Sequence, residues 1–245
     1  MYSSMESNLT TNDVEAIVTL CSKSLETADQ ATRHSLSQLV GHMLSLTQKD
    51  RLPPASEASA KGKKGDQGED ADDTLSASHV LAEGNKTILT PGEMLGLLST
   101  QFNKANLPRK IRIGIFDFYA ALLTKLGPNF VENNYALIIG HLMNDIVAHP
   151  RNSSTRYETL LVRSLVGILL RDLIGVRMLS EQGQIGVIQE LSKSYLKRWP
   201  AMMPGQVSPD PLVLAVILKE VAGLLQQLGN APPPVQVSLY HHYNH

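Results

Sequence analysis

Between Leu107 and Pro150 the chain carries two apolar-periodic segments, joined by Gly127-Pro128 and closed by a second proline. In the first, Ile111, Ile115, Phe118, Tyr119, Leu122 and Leu126 recur at three- and four-residue spacing. A helix turning about 100° per residue places them along one side. Pro108 suits the start of that helix and Gly127 its end. In the second, Leu137, Ile138, Leu142, Ile146 and Val147 share a face; Asn133 or Asn134 can cap it, and His149-Pro150 stops it. The pattern predicts a helical hairpin that leaves apolar surface for neighbours of similar build.

Similar patterns lie on both sides. Asn12-Asp13-Val14-Glu15 has the spacing of a capping box and opens a helix over about 13–28, with Val14, Ile17, Val18, Cys21 and Leu25 on one face. A partner helix spans about 32–46, with Leu36, Leu39, Val40, Met43 and Leu44 apolar. Thr90-Pro91-Gly92-Glu93 is a second capping box, leading a short helix through Phe102. Asn152-Ser153-Ser154 begins a strongly apolar helix to about Gly175, and Ser180-Glu181 introduces its partner. Asp210-Pro211 starts a last helix, with Val213, Leu214, Ile217, Val221, Leu224, Leu225 and Leu228 on one side and Lys219, Glu220, Gln226 and Gln227 on the other. Gly229 and Pro232-Pro233-Pro234 end it.

No stretch shows sustained strand alternation, so the predicted class is all-α. Helix starts near 108 and 153 are separated by an interval within the roughly 40 to 47 residue period of HEAT and armadillo repeats. The favoured architecture is therefore an α-solenoid of antiparallel helical hairpins, with a compact helical bundle as the alternative. The expected organisation is an N-terminal hairpin over 1–48, a disordered linker over 49–86, HEAT-like repeats over 87–230 and a disordered tail over 231–245. The linker loses periodicity and carries Lys61, Lys63 and Lys64 before Asp66, Glu69, Asp70, Asp72 and Asp73. Such a composition cannot bury enough apolar area to offset ordering. It reads as a solvated loop or, if functional, as a docking tail.

Composition narrows the function classes. The 22 Lys plus Arg against 23 Asp plus Glu give no net field that would attract nucleic acid. The N-terminus lacks the basic and apolar regions of a secretory signal. The longest apolar runs are broken by Arg163 and Lys219, so no membrane span is expected. Cys21, the single cysteine, excludes a disulfide framework and sits on an apolar stripe, as a buried structural thiol would. There is no phosphate-binding Gly loop, His-Glu-x-x-His or Gly-x-Ser-x-Gly, so no enzyme, cofactor or small-molecule substrate is expected. His141 and His149 have no carboxylate pattern to complete a metal site and read as packing residues, and the terminal His241, His242 and His245 follow the triproline break.

Two polar features remain. Arg156, Arg163 and Arg171 fall within an arc of about 80° on the helix that starts near 153. They are the candidate partner-binding residues, on the side left free if the apolar faces stack. The surrounding 151–199 region holds eight positive and four negative side chains, which suits an acidic peptide or lipid headgroup, or else marks a solvated face. Asp172 falls among the apolar residues of the same helix and is expected to be buried, capping a neighbouring turn or paired with an arginine of an adjacent repeat.

Residues 109–151, RKIRIGIFDFYAALLTKLGPNFVENNYALIIGHLMNDIVAHPR, carry Arg-x-Gly-x-x-x-x-Tyr, Leu-Gly, a Glu-Asn stretch, and His-Leu before a helix-ending His-Pro-Arg. This pattern resembles the large HEAT-repeat proteins that accompany the clathrin adaptor of the trans-Golgi network and endosomes, known as HEAT-repeat-containing protein five in animals and the large adaptor accessory protein in yeast. The segments LVRSLVGILLRDLIGVRMLSEQGQIGVIQEL and LKEVAGLLQQLGNAPPPVQ extend the resemblance, and SLSQLVGHMLSL adds to it weakly. It implies a non-enzymatic scaffold in the cytoplasm that reaches endosome and trans-Golgi membranes peripherally through partners. Clathrin adaptor subunits and coat accessory proteins would be those partners, and endosome-to-Golgi retrieval the process. A generic solenoid binding module of another cytosolic complex, in nuclear transport or kinase scaffolding, is the competing expectation.

Overall fold

A computed structural model describes residues 10–49, 88–198 and 210–229, and among them the chain is helical with no strand. In order these are α1 (Thr11–Ser24), α2 (Gln30–Leu46), α3 (Pro91–Phe102), α4 (Arg109–Asn133), α5 (Tyr135–His141), α6 (Arg156–Gly167), α7 (Glu181–Ser194) and α8 (Pro211–Gly229). Two of them run on as wider π-helical turns, α5 through Leu142–Val147 and α6 through Ile168–Met178. The expected linker and tail lie outside the described residues, apart from Lys49 at the linker's edge, as do residues 199–209.

Local chemistry sets the ends. The Thr90–Glu93 capping box forms as expected, with Pro91 in the first turn. For α1 the cap is Thr10 instead of Asn12, and its box closes with Asp13. The box requires a hydroxyl and an acid three residues on, a spacing that Thr10 and Asp13 satisfy equally well. Gly127 breaks α4 at φ 82, a left-handed conformation that glycine adopts without a Cβ penalty. Asn134 does not cap α5 with its side chain; its Nδ2 donates back to the Phe130 carbonyl at 2.9 Å and so finishes α4. Likewise α6 begins at Thr155, whose hydroxyl accepts from Glu158 N at 3.1 Å, and not at 152–154.

Helix α4 is the central element. It packs most extensively against α2 and then against the π-helical part of α6. Gly41 of α2 lies so close to α4 that a Cβ there would stand 2.7 Å from the Ala121 carbonyl carbon. Gly114 similarly makes room for Leu25, whose methyl carbons would be 2.7 Å from an added Cβ. Arg33 and Asp117 tie the same two helices at 2.9 Å. From Val14 in α1 to Leu228 in α8, the buried apolar residues form one continuous core. Cys21 is in it, and burial pushes its thiol pKa up. Leu39 and Leu137, expected on buried stripes, point outward instead.

Among the described residues α8 is long and apolar enough to cross a membrane, by length and composition alone. Its apolarity is used here for packing: Val213, Leu214, Val216, Ile217, Val221, Leu224 and Leu228 are buried against the other helices. Glu220, expected on the polar side, is buried with them at 5% exposure.

Candidate functional site

The helix bearing the candidate arginines is fixed at its base by a buried polar joint. Arg112 of α4, 5% exposed, reaches Glu158 in the first turn of α6 at 2.7 Å. The same guanidinium lies 5.2 Å from the Phe102 ring centroid and donates to Asn152 Oδ1 at 3.2 Å. Asn152 Nδ2 in turn donates to Asn103 Oδ1 and to the Ile146 carbonyl, each at 2.8 Å. Asn103 Nδ2 donates to the Asp145 carbonyl at 2.8 Å, and Arg151 donates to the Asn103 carbonyl. Thus the turn before α6 is held to the end of α3, to α4 and to the end of the α5 continuation, although Arg112 Nε is buried with no hydrogen-bond partner among the described residues.

From this base α6 turns Val162, Val166, Leu169, Leu170, Ile174 and Met178 inward. Its outward face is also apolar: Tyr157 is 53% exposed, Leu160 55% and Ile168 50%. With Ser164 between them, these residues follow the three- and four-residue spacing of one helix side. Arg156 is exposed and Arg163 half-buried, and together they form one rim of that stripe. Their guanidinium groups have no ion-pair or hydrogen-bond partner among the described residues. Arg171 differs. Its Nε donates to Asp172 Oδ1 at 2.8 Å and its NH2 to Oδ2 at 3.3 Å, so its charge is locally neutralised. The Arg171 hydrogen bonds hold the Asp172 carboxyl below its ordinary pKa.

Asp172 is not buried; its side chain is 51% exposed and it pairs with its own neighbour in sequence. The i→i+5 turns of Ile168–Met178 widen the helix and shift the phase of every residue beyond Ile168, so positions assigned at 100° per residue swing off the core side. The free side of α6 is also not an arginine side alone, because Tyr157, Leu160 and Ile168 form its centre. Their mutual spacing was visible in the sequence, where this helix is apolar on two sides.

The histidines divide. His141 is buried between Tyr119, whose hydroxyl is 2.8 Å from Nε2, and Asp145, whose Oδ2 is 2.7 Å from Nδ1. A carboxylate only accepts, so Nδ1 carries the proton and Nε2 accepts from Tyr119. Burial lowers the His141 pKa, with Asp145 pushing the other way, and the ring stays neutral at pH 7. This has the outline of an acid-imidazole-hydroxyl relay. Both rings, however, are buried, Tyr119 at 1% exposure and His141 at 9%, so the packed helices close the hydroxyl to a substrate, and desolvation raises its pKa well above the ordinary value. The group does packing work, in an aromatic run where Phe102–Phe116 and Phe116–Tyr119 centroids lie 5.2 and 5.5 Å apart. His149 Nδ1 accepts from Arg151 N at 3.3 Å, within the turn before α6.

A second surface feature is a shallow groove between the start of α5 and α7, lined in part by Tyr135, Ala136, Leu179, Gly183 and Glu190. Glu132 also lines it, but that carboxylate already caps α7, accepting from Ser180 N and Oγ at 2.8 Å each. Among the described residues no three His, Cys, Asp or Glu side chains gather as metal ligands would. No protein-family model and no solved structure matches the chain.

Proposed function

We propose that the chain is a non-enzymatic protein-binding scaffold, an α-solenoid of antiparallel hairpins of the HEAT or armadillo kind. It associates with the clathrin adaptor of the trans-Golgi network and endosomes and supports retrieval from endosome to Golgi. The observation that carries the binding role is the outward face of α6, where exposed Tyr157, Leu160 and Ile168 adjoin Arg156 and Arg163, which are unpaired among the described residues. Apolar residues exposed together at helical spacing favour interaction over solvation. The adaptor assignment is supported by the motif resemblance over 109–151. Membrane contact is peripheral and runs through those partners.

Immobilised protein incubated with cytosol tests the proposal. Adaptor subunits and coat accessory proteins are expected in the eluate, depleted when Arg156 and Arg163 are replaced by glutamate. An eluate without adaptor subunits, from protein whose helicity by circular dichroism is intact, would remove the adaptor reading. Subunits of a nuclear-transport or kinase complex in their place would favour the generic solenoid module.

A further inference from the structure

We propose that the outward face of α6 is a docking strip for an acidic amphipathic helix, which lies along Tyr157, Leu160, Ser164 and Ile168 with its carboxylates on the Arg156–Arg163 rim. The proposal rests on the protein-binding reading above and names the chemistry of the partner.

The strip is shaped for a helix. Tyr157 and Ile168 are separated by eleven residues of helix, a span of about 16 Å at 1.5 Å per residue, or three turns of a partner lying alongside. Ser164, small and exposed between Leu160 and Ile168, leaves a gap into which a partner's side chain can fit, as ridges fit grooves between packed helices. Apolar anchors at three- and four-residue spacing are how an amphipathic helix is gripped. No sheet edge exists among the described residues to receive an extended peptide.

Charge selects the occupant. Arg156 and Arg163 are seven residues apart and unpaired among the described residues, whereas the nearby Glu158 and Arg171 already have partners in Arg112 and Asp172. Two unpaired guanidinium groups one heptad apart match carboxylates at the same repeat on a partner helix, each able to form a two-bond fork. A second copy of this chain fits less well in an antiparallel two-fold pairing, which would bring Arg156 and Arg163 of both copies to a common rim. Like charges so placed suppress pairing.

Fluorescence anisotropy with a labelled synthetic peptide tests this. The peptide is roughly 15 residues long, enough to be marginally helical, with leucines at three- and four-residue spacing and glutamates on the flanks. The unmodified protein should bind it with an affinity that falls as salt rises. Arg156→Glu with Arg163→Glu should weaken binding at least about tenfold and gain affinity for the same peptide carrying lysines in place of glutamates. Tenfold corresponds to about 1.4 kcal/mol, within reach of two charge-assisted contacts. Leu160→Ser with Ile168→Ser should weaken both peptides. If the glutamate pair perturbs folding, Arg156→Gln with Arg163→Gln serves in its place.

Equal binding of glutamate and lysine peptides, or binding unaffected by either pair of substitutions, overturns the proposal. So does a concentration-dependent dimer in sedimentation that Leu160→Ser with Ile168→Ser abolishes, since the strip then belongs to a second copy. Arginine-dependent binding to vesicles of phosphatidylserine and phosphatidylcholine, with no peptide binding, would assign it to a membrane. Peptide binding that persists while adaptor capture fails removes the adaptor reading alone; the reverse removes only this one.

Discussion

Arg112 of α4 and Glu158 of α6 meet at 2.7 Å, their side chains 6% and 24% exposed, and through this contact the central helix sets the position of the helix that carries the candidate surface. A buried pair of this kind costs desolvation on both sides and is worth little net against a well-packed apolar substitute. Removing one partner is different, because the other charge is left buried. Arg112→Ala is expected to cost about 3–5 kcal/mol. Arg112→Met combined with Glu158→Leu should recover much of that. Urea unfolding of the two variants checks it, and equal losses would mean that the hydrogen bond to Asn152, not the ion pair, is the main contribution.

Tyr119→Phe tests the buried Tyr119–His141 contact. The substitution keeps the ring against Phe116 and removes the hydroxyl that donates to Nε2 and also lies 3.4 Å from the Leu95 carbonyl, leaving a buried acceptor unpaired. About 1–3 kcal/mol should be lost. Denaturant unfolding at pH 7 is the measurement, and a loss below 0.5 kcal/mol (an approximate bound set by ordinary surface substitutions) would show that Nε2 finds another partner.

Much of the fold is legible in the sequence for simple reasons. The Thr90–Glu93 box, the Gly127 break and the Ser180 start all rest on local chemistry, which acts within a turn or two of helix. What failed depends on partners far along the chain. Asn152 has the side chain of a cap, yet it is drawn into the joint with Asn103, Ile146 and Arg112, and Thr155 takes over the capping. Periodicity at 100° per residue puts Asp172 on the core side because it does not foresee π-helical turns. The arginine positions were readable, but not that Arg171 is paired while Arg156 and Arg163 stand beside an exposed apolar strip.

Glycine positions give a paired prediction. At Gly41→Ala, two effects compete: alanine favours helix by about 1 kcal/mol, while overpacking costs typically 1–3 kcal/mol. The new methyl would meet the backbone of Ala121 at 2.7 Å, and backbone cannot rotate aside, so α2 and α4 would have to part and the loss should win. Gly186→Ala in α7 has nothing within 4 Å of the added carbon and should gain roughly 1 kcal/mol. Thermal melts of the two variants should move in opposite directions. A stabilised Gly41→Ala would mean that the α2–α4 crossing yields easily.

Glu220 makes the pH dependence of stability specific. Burial raises its pKa from 4.5 to about 7, with Arg171 opposing and Asp172 adding to the shift, and its Oε1 has no hydrogen-bond partner among the described residues. The folded protein therefore holds a proton that the unfolded chain has released between pH 4.5 and about 7. Over that window the native state binds more protons, so stability falls as pH rises, and above about pH 7 the loss is complete. Its size is roughly 3 kcal/mol. His141 acts in the opposite direction: its pKa is lowered, so its contribution is present above the ordinary 6.5 and is lost as pH falls through its folded value. Comparing unmodified protein with Glu220→Gln at each pH isolates the carboxyl, since His141 is common to both. The two should be nearly equal in stability near pH 5, where Glu220 is protonated and resembles glutamine. By pH 8 Glu220→Gln should be the more stable by up to about 3 kcal/mol. Chemical denaturation between pH 5 and 8 measures the difference, and parallel curves would show that Glu220 reaches water or a cation when it ionises.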